Sequence, residues 1–165
     1  MAPNTEQNLY DAYTGESKAV TRLRAYAQNA EKEDYPEIAK LFRAIAESEN
    51  IHAYNSLKFM NVIKDTETNL EESLAREEKI AQVAYDSFVQ QALEEEKPAI
   101  ATAFTYSRDV EARHEKLYEQ ALQHLVSEDK PSYFVCGVCG YVADTIVPEK
   151  CPVCQAPPEK FFEVA

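Results

Sequence analysis

The sequence predicts an all-α protein, a four-helix bundle followed by a small C-terminal metal-binding domain. Glycine accounts for only 3 of 165 residues, and two of them, Gly137 and Gly140, stand beside cysteines near the C-terminus. The remainder is rich in Ala, Glu, Leu and Lys, a helix-forming composition. Four long stretches repeat apolar residues at intervals of three and four, the period of an amphipathic helix. All four cysteines fall late in the chain as two Cys-x-x-Cys pairs, Cys136/Cys139 and Cys151/Cys154. The bundle is assigned to residues 1–128 and the cysteine domain to residues 133–165.

The first helix runs from residue 5 to about residue 31, with Leu9, Ala12, Tyr13, Ala19, Val20, Leu23 and Tyr26 on one stripe and Glu16 inside it. The segment "EDYPEIAKLF" ends it and opens a second helix, with Pro36 in the first turn, where no amide hydrogen is needed. The second stripe reads Ile38, Leu41, Phe42, Ile45, Glu49, His52, Ser56, Met60, Ile63. "KDTETN" is a polar connection, and a third helix begins at about Leu70 with Leu74, Glu77, Ala81, Tyr85, Phe88 and Ala92 facing inward. "EEEKP" breaks it. Pro98 then opens a fourth helix carrying Ile100, Phe104, Ser107, Glu111, His114, Tyr118, Ala121 and Leu125 in register. "SEDKPS" has the composition of a linker. Helices of roughly 25 to 30 residues are about 40 Å long, enough for four to enclose a full core.

A formal net charge of −12 argues against nucleic-acid partners and anionic membranes, and favours metal ions or cationic partners. The N-terminus lacks a basic region followed by an apolar run, and no stretch approaches the about 18 apolar residues of a membrane span. A soluble, cytoplasmic protein is expected. In that reducing compartment the four thiols are read as metal ligands rather than disulfides.

The chemistry lies in a repeat. Glu16 precedes Glu49 by 33 positions and Glu77 precedes Glu111 by 34, and each second glutamate is followed three residues later by a histidine, His52 or His114. Each half of the bundle thus carries one Glu helix and one Glu-x-x-His helix, the mark of an internal duplication. A single Glu or His on an inner face is ordinarily a hydrogen-bonded core residue. Six at matching depth are another matter, because burying four unpaired carboxylates costs many kcal/mol. Two divalent cations remove that penalty, and carboxylate-rich ligation with one imidazole per metal suits iron or manganese, with zinc competing on affinity. This is the ligand set of ferritin-like dinuclear carboxylate proteins. Four thiolates on two knuckles select a tetrahedral iron or zinc, and the spacing alone leaves a structural zinc ribbon open. Tyr133, Phe134, Tyr141, Phe161 and Phe162 are the expected core of that domain.

"YTGES", "EIAKLFRAIAESENIHA" and "VEARHEKLY" resemble rubrerythrin, and "YFVCGVCGYVADTIVPEKCPVCQAPPEKF" is similar to its rubredoxin-like domain. The resemblance spans essentially the whole chain. It implies two irons bound by Glu16, Glu49, His52, Glu77, Glu111 and His114, with Glu49 and Glu111 bridging, and one iron held by Cys136, Cys139, Cys151 and Cys154. It further implies reduction of hydrogen peroxide to water, with electrons relayed through the four-cysteine iron from an external donor such as an NAD(P)H-dependent reductase. Tyr85 matches a pocket tyrosine of the family.

Two positions depart from the family pattern. A further carboxylate usual three residues after the third-helix ligand is Ile80 here, and a first-helix tyrosine is Leu23. Glu78 is no substitute, since it points about 100° away from Glu77 on a helix. His124 lies outside the ligand register, the acidic runs at Glu71–Glu72 and Glu94–Glu96 read as solvated faces, and Tyr13, Tyr26 and Tyr118 read as core packing.

A peroxidase with a built-in relay is the leading function. Its rivals are ferritin-like iron oxidation or oxygen scavenging, and an electron-transfer or metal-binding module with structural zinc in the tail. A helix-swapped homodimer is also expected. Ligands at one height put about 27 Å along the axis between the end of the second helix and the start of the third. The six residues Lys64 to Asn69 supply seven residue-to-residue steps, which reach about 25 Å when fully extended.

Overall fold

The computed structural model describes residues 4–79, 84–123 and 131–164, which form two compact units, Met1–Lys64 and Asp65–Ala165. In the first unit, Asn4 caps α1 (Thr5–Lys32) by accepting the Gln7 amide through its side chain at 2.9 Å. Asp34, at φ 62°, turns the chain, and Pro36 opens α2 (Pro36–Phe59) at its first position. The two helices form a hairpin. Its seam is made of small residues: Ala27, Ala30 and Ala39 cluster together, and Ala46 and Ala53 continue the seam at seven-residue steps. Alanine lets two backbones approach closely, and the ion pairs Arg24–Glu47 and Arg43–Glu31 flank the seam.

This seam is not the stripe expected from the large apolar residues. Ile38, Leu41 and Ile45 are exposed, as is Tyr26, although its ring packs edge-on against Phe42 at 5.7 Å. The physical reason is geometric. A two-helix hairpin covers one face of each helix, and the alanine face makes the closer contact.

The second unit begins earlier than expected. Asp65 caps α3 (Thr66–Lys79) by accepting the Thr68 amide at 3.0 Å, so most of "KDTETN" is helix rather than connection. On the other side α2 stops at Phe59 instead of reaching Ile63, and Asn61 sits at φ 54°. The link between the units is therefore residues 60–65. The expected third helix appears as α3 and α4 (Tyr85–Glu94); Ile80 between them lies outside the described residues, as do the Glu78 side chain and His124. A turn with Glu96 at φ 55° leads to Pro98 and α5 (Pro98–Gln123), against which both α3 and α4 pack. Tyr85, Phe88 and Phe104 stack together between α4 and α5, and Arg108 of α5 pairs with Asp86 of α4 at 2.9 Å. Glu71, Glu72 and Glu94–Glu96 are solvated, as expected.

The C-terminal part folds as a three-stranded antiparallel sheet in the order β2 (Val142–Asp144), β1 (Tyr133–Cys136), β3 (Phe161–Val164). Its core is Cys136, Cys151 and Ala156 with Tyr141, Val153 and Phe161 packed against them. Tyr133 and Phe162, expected inside, are exposed, since a three-stranded sheet with one covered face leaves alternate side chains in water.

If the alanine seam sets the α1–α2 distance, Ala46→Leu will force three extra heavy atoms into a closed contact. The variant should lose about 1–3 kcal/mol of stability in thermal or urea unfolding, whereas Ala44→Leu, on an exposed position of the same helix, should not.

Candidate metal centres

Each unit assembles its own cluster of ligand-type side chains. Glu16 of α1 meets Glu49 and His52 of α2, and Glu77 of α3 meets Glu111 and His114 of α5, with the donor atoms of each trio within 4.8 Å of one another. The internal repeat read from the sequence is a repeat of geometry. His52 Nδ1 lies 3.0 Å from Glu49 Oε2, and His114 Nδ1 lies 2.9 Å from Glu111 Oε2, the same i, i+3 contact on two helices. The clusters differ in exposure. Glu111 and His114 are mostly covered, whereas the His52 side chain is 56 % exposed. A hairpin supplies too few neighbours to cover it.

Both clusters crowd like charges. A hydrogen bond with Glu49 raises the pKa of Glu16, and the same bond lowers that of Glu49. Burial, with the neighbouring Glu111 carboxylate, pushes Glu77 up to about 7. Carboxyls whose ionisation is opposed by burial and by a facing carboxylate are what a divalent cation resolves, by neutralising both at once. The donor sets fit iron in that sense. Tyr85 is half-buried between Phe88 and Phe104, and Leu23 is half-buried on α1.

The cysteine site is built by two matching turns. Gly140 donates its amide to the Cys136 carbonyl at 2.9 Å, and Gln155 does the same to Cys151 at 2.9 Å. Both residues are in the left-handed region, Gly140 at φ 84° and Gln155 at φ 62°. The Cys136 and Cys154 sulfurs are 3.7 Å apart and those of Cys139 and Cys151 are 3.5 Å apart. Metal–sulfur bonds of about 2.3 Å in a tetrahedron give sulfur–sulfur edges of about 3.8 Å, so the four thiols are preset for such an ion. Burial opposes ionisation of Cys136, but the Cys139 and Val138 amides and the adjacent thiols more than offset it and hold its pKa below the ordinary value. Burial pushes Cys139 and Cys154 up. A thiol held toward ionisation among thiols that resist it is again a site that a cation completes.

Arg113 stands directly before His114, outside the ligand pattern. Its guanidinium reaches the cysteine domain, bonding the Val142 carbonyl at 3.0 Å and pairing with Asp144. A surface-type residue beside a ligand gave no signal beyond its charge.

Similarity to known proteins follows the same division. The family model described as Rubrerythrin matches residues 7–122, and that described as "Rubrerythrin, rubredoxin-like domain" matches residues 134–162. Rubrerythrin-1 of Clostridium acetobutylicum is 30% identical, over 97% of this chain and 93% of its own length. Rubrerythrin of Porphyromonas gingivalis is 33% identical, over 96% of this chain and 88% of its own. A solved structure of nigerythrin in its fully reduced, all-ferrous state superposes with a TM-score of 0.60 at 26% identity, covering 99% of this chain and 88% of that one. Among the described residues no helix is long and apolar enough to cross a membrane.

Glu77 carries a pH signature. Its folded-state pKa is raised, so its contribution to stability is present below the unfolded value of 4.5 and is lost as pH rises through about 7. Protein prepared without metal should therefore melt at falling temperature between pH 5 and about pH 8. Glu77→Gln should flatten that slope, and divalent metal should reverse it.

Proposed function

The chain belongs to the rubrerythrin family, and on that premise we propose that it is a peroxidase of the cytoplasm, reducing hydrogen peroxide to water at a di-metal centre with electrons supplied through its four-cysteine domain. The family's cofactors are a diiron site on the Glu and His groups of the bundle and a rubredoxin-like site at Cys136, Cys139, Cys151 and Cys154. One observation carries the reading. The two Glu, Glu, His trios repeat each other's geometry, so joining them gives four carboxylates and two imidazoles for two metals. In that centre Glu16, Glu49, His52, Glu77, Glu111 and His114 would hold the two metals.

Bound iron would supply the two electrons of H2O2 + 2 H+ + 2 e− → 2 H2O. The chain's own groups do the rest. Glu77, whose pKa is pushed up to about 7 by burial and the neighbouring Glu111, is suited to pass a proton to a leaving hydroxide. The Tyr85 hydroxyl is the pocket donor of this reading, with its ring fixed by Phe88 and Phe104. An external reductase, NAD(P)H-dependent by family resemblance, would refill the four-cysteine domain.

The trios are proposed to join between two copies of the chain. Seven residue-to-residue steps, from Phe59 to Thr66, must cover the return between α2 and α3. With both trios at one height the return is about 27 Å, against a reach of about 25 Å. Exchange of helix pairs removes the conflict, and it gives the exposed Ile38, Leu41 and Ile45 an apolar partner.

Oxygen scavenging is the second reading, and Ile80 favours it, because a hydrocarbon cannot supply the carboxylate by which relatives exchange a ligand. The two are separated by reducing the protein anaerobically and mixing it with peroxide or with oxygen while visible absorption is followed. Peroxide should react faster, and Glu49→Ala should abolish turnover. Rates that favour oxygen by an order of magnitude would transfer the protein to the second reading. His52 should stay on the metal in crystals of both oxidised and reduced protein; its replacement by a carboxylate on oxidation would contradict the significance given to Ile80.

A further inference from the structure

We propose that Arg113 is a positioning residue that clasps the four-cysteine domain onto α5 of its own chain, beside the Glu77–Glu111–His114 trio. Three features of the guanidinium converge on one short stretch of the domain. Nε donates to the Val142 carbonyl at 3.0 Å, Nη2 donates to Asp144 Oδ1, and Cζ lies 5.8 Å from the centre of the Tyr141 ring. Only a planar fork can satisfy a carbonyl, a carboxylate and an aromatic face together. The side chain is 16 % exposed, so this is a covered contact rather than a surface ion pair.

A second, apolar contact lies one helical turn earlier. Val110 is 4 % exposed, and a Cβ added to Gly140 of the first cysteine turn would sit 4.0 Å from its Cγ1. Further along α5, His114, Leu117 and Tyr118 share an apolar cleft of about 340 Å³ with Tyr133 and Val142 of the domain. The domain thus meets α5 over at least two turns, on the residues that flank a proposed metal ligand.

The clasp also ties the cysteine site to that ligand through a short run of backbone. The Tyr141 amide bonds to the Cys139 sulfur, the next carbonyl accepts from Arg113, and His114 follows in sequence. The functional meaning of this arrangement, a relay domain held at its own chain's trio, rests on the peroxidase reading. The docking itself does not.

The test uses the full chain loaded with zinc at both sites, which keeps it diamagnetic. Nuclear Overhauser cross-peaks are expected from the Val110 methyls to Gly140 and from the Arg113 side chain to the Tyr141 ring. In a mixture of labelled and unlabelled chains, filtering for contacts between chains should remove them. Arg113→Ala should abolish the Val110–Gly140 peak while zinc at the four cysteines stays stoichiometric, and Asp144→Asn should weaken it. In the iron-loaded, reduced protein, Arg113→Ala should slow oxidation of the four-cysteine iron by peroxide by at least tenfold, with that iron's absorption spectrum and potential unchanged. Absent cross-peaks, cross-peaks arising only between chains, or cross-peaks indifferent to Arg113→Ala would each overturn the clasp. If the cross-peaks behave as expected but peroxide never oxidises the four-cysteine iron of the unaltered protein, the clasp stands and the relay reading fails.

Discussion

Carboxylates that crowd one another are the constraint on which the rest of this molecule depends. Each helix unit brings two glutamates and a histidine within 4.8 Å, and in each the surroundings favour the protonated form of one carboxyl: Glu16 beside Glu49 in the first unit, and Glu77, buried beside Glu111, in the second. That is a provisional solution. Divalent cations are the stronger one, because each neutralises two carboxylates at once and leaves the imidazole a neutral ligand. A trio alone offers three donors, too few to hold and bridge a metal pair. The need for a second trio gives the duplication its purpose.

Much of this was legible in the sequence because metal ligands obey spacing. Glu49/His52 and Glu111/His114 stand at i, i+3 inside apolar stripes, and the two Cys-x-x-Cys pairs can only make knuckles. What was not legible depended on contacts between elements. The seven-residue run Ala39, Ala46, Ala53 is inconspicuous beside Ile38, Leu41 and Ile45, yet it makes the α1–α2 seam, since close approach favours small side chains over large ones. The start of α3 was misplaced because Thr66 to Asn69 look like a polar loop; the signal was Asp65, an N-cap whose side chain takes the Thr68 amide. Tyr133 and Phe162 look like core residues by type, but strand alternation puts them outside.

The cysteine domain combines both kinds of information. Its two turns repeat each other bond for bond, from Cys136–Gly140 to Cys151–Gln155, and nearly all of that follows from local sequence. Its attachment does not. Arg113 reaches a carbonyl 29 residues away, a contact that no local pattern announces. Local chemistry builds each metal site, and a few long-range contacts decide which sites become neighbours.

The central claim, that two chains each contribute a trio to every di-metal centre, is tested most directly by complementation. Chains carrying Glu49→Ala and chains carrying Glu111→Ala, differently tagged, would be co-expressed and the mixed dimers isolated. Exchange of helix pairs places both defects in one centre and leaves the other intact, so the mixed dimer should bind one bundle metal pair and turn over peroxide, while either parent does neither. If the mixed dimer is as metal-poor and as inactive as its parents, each centre is built within one chain and the account is contradicted.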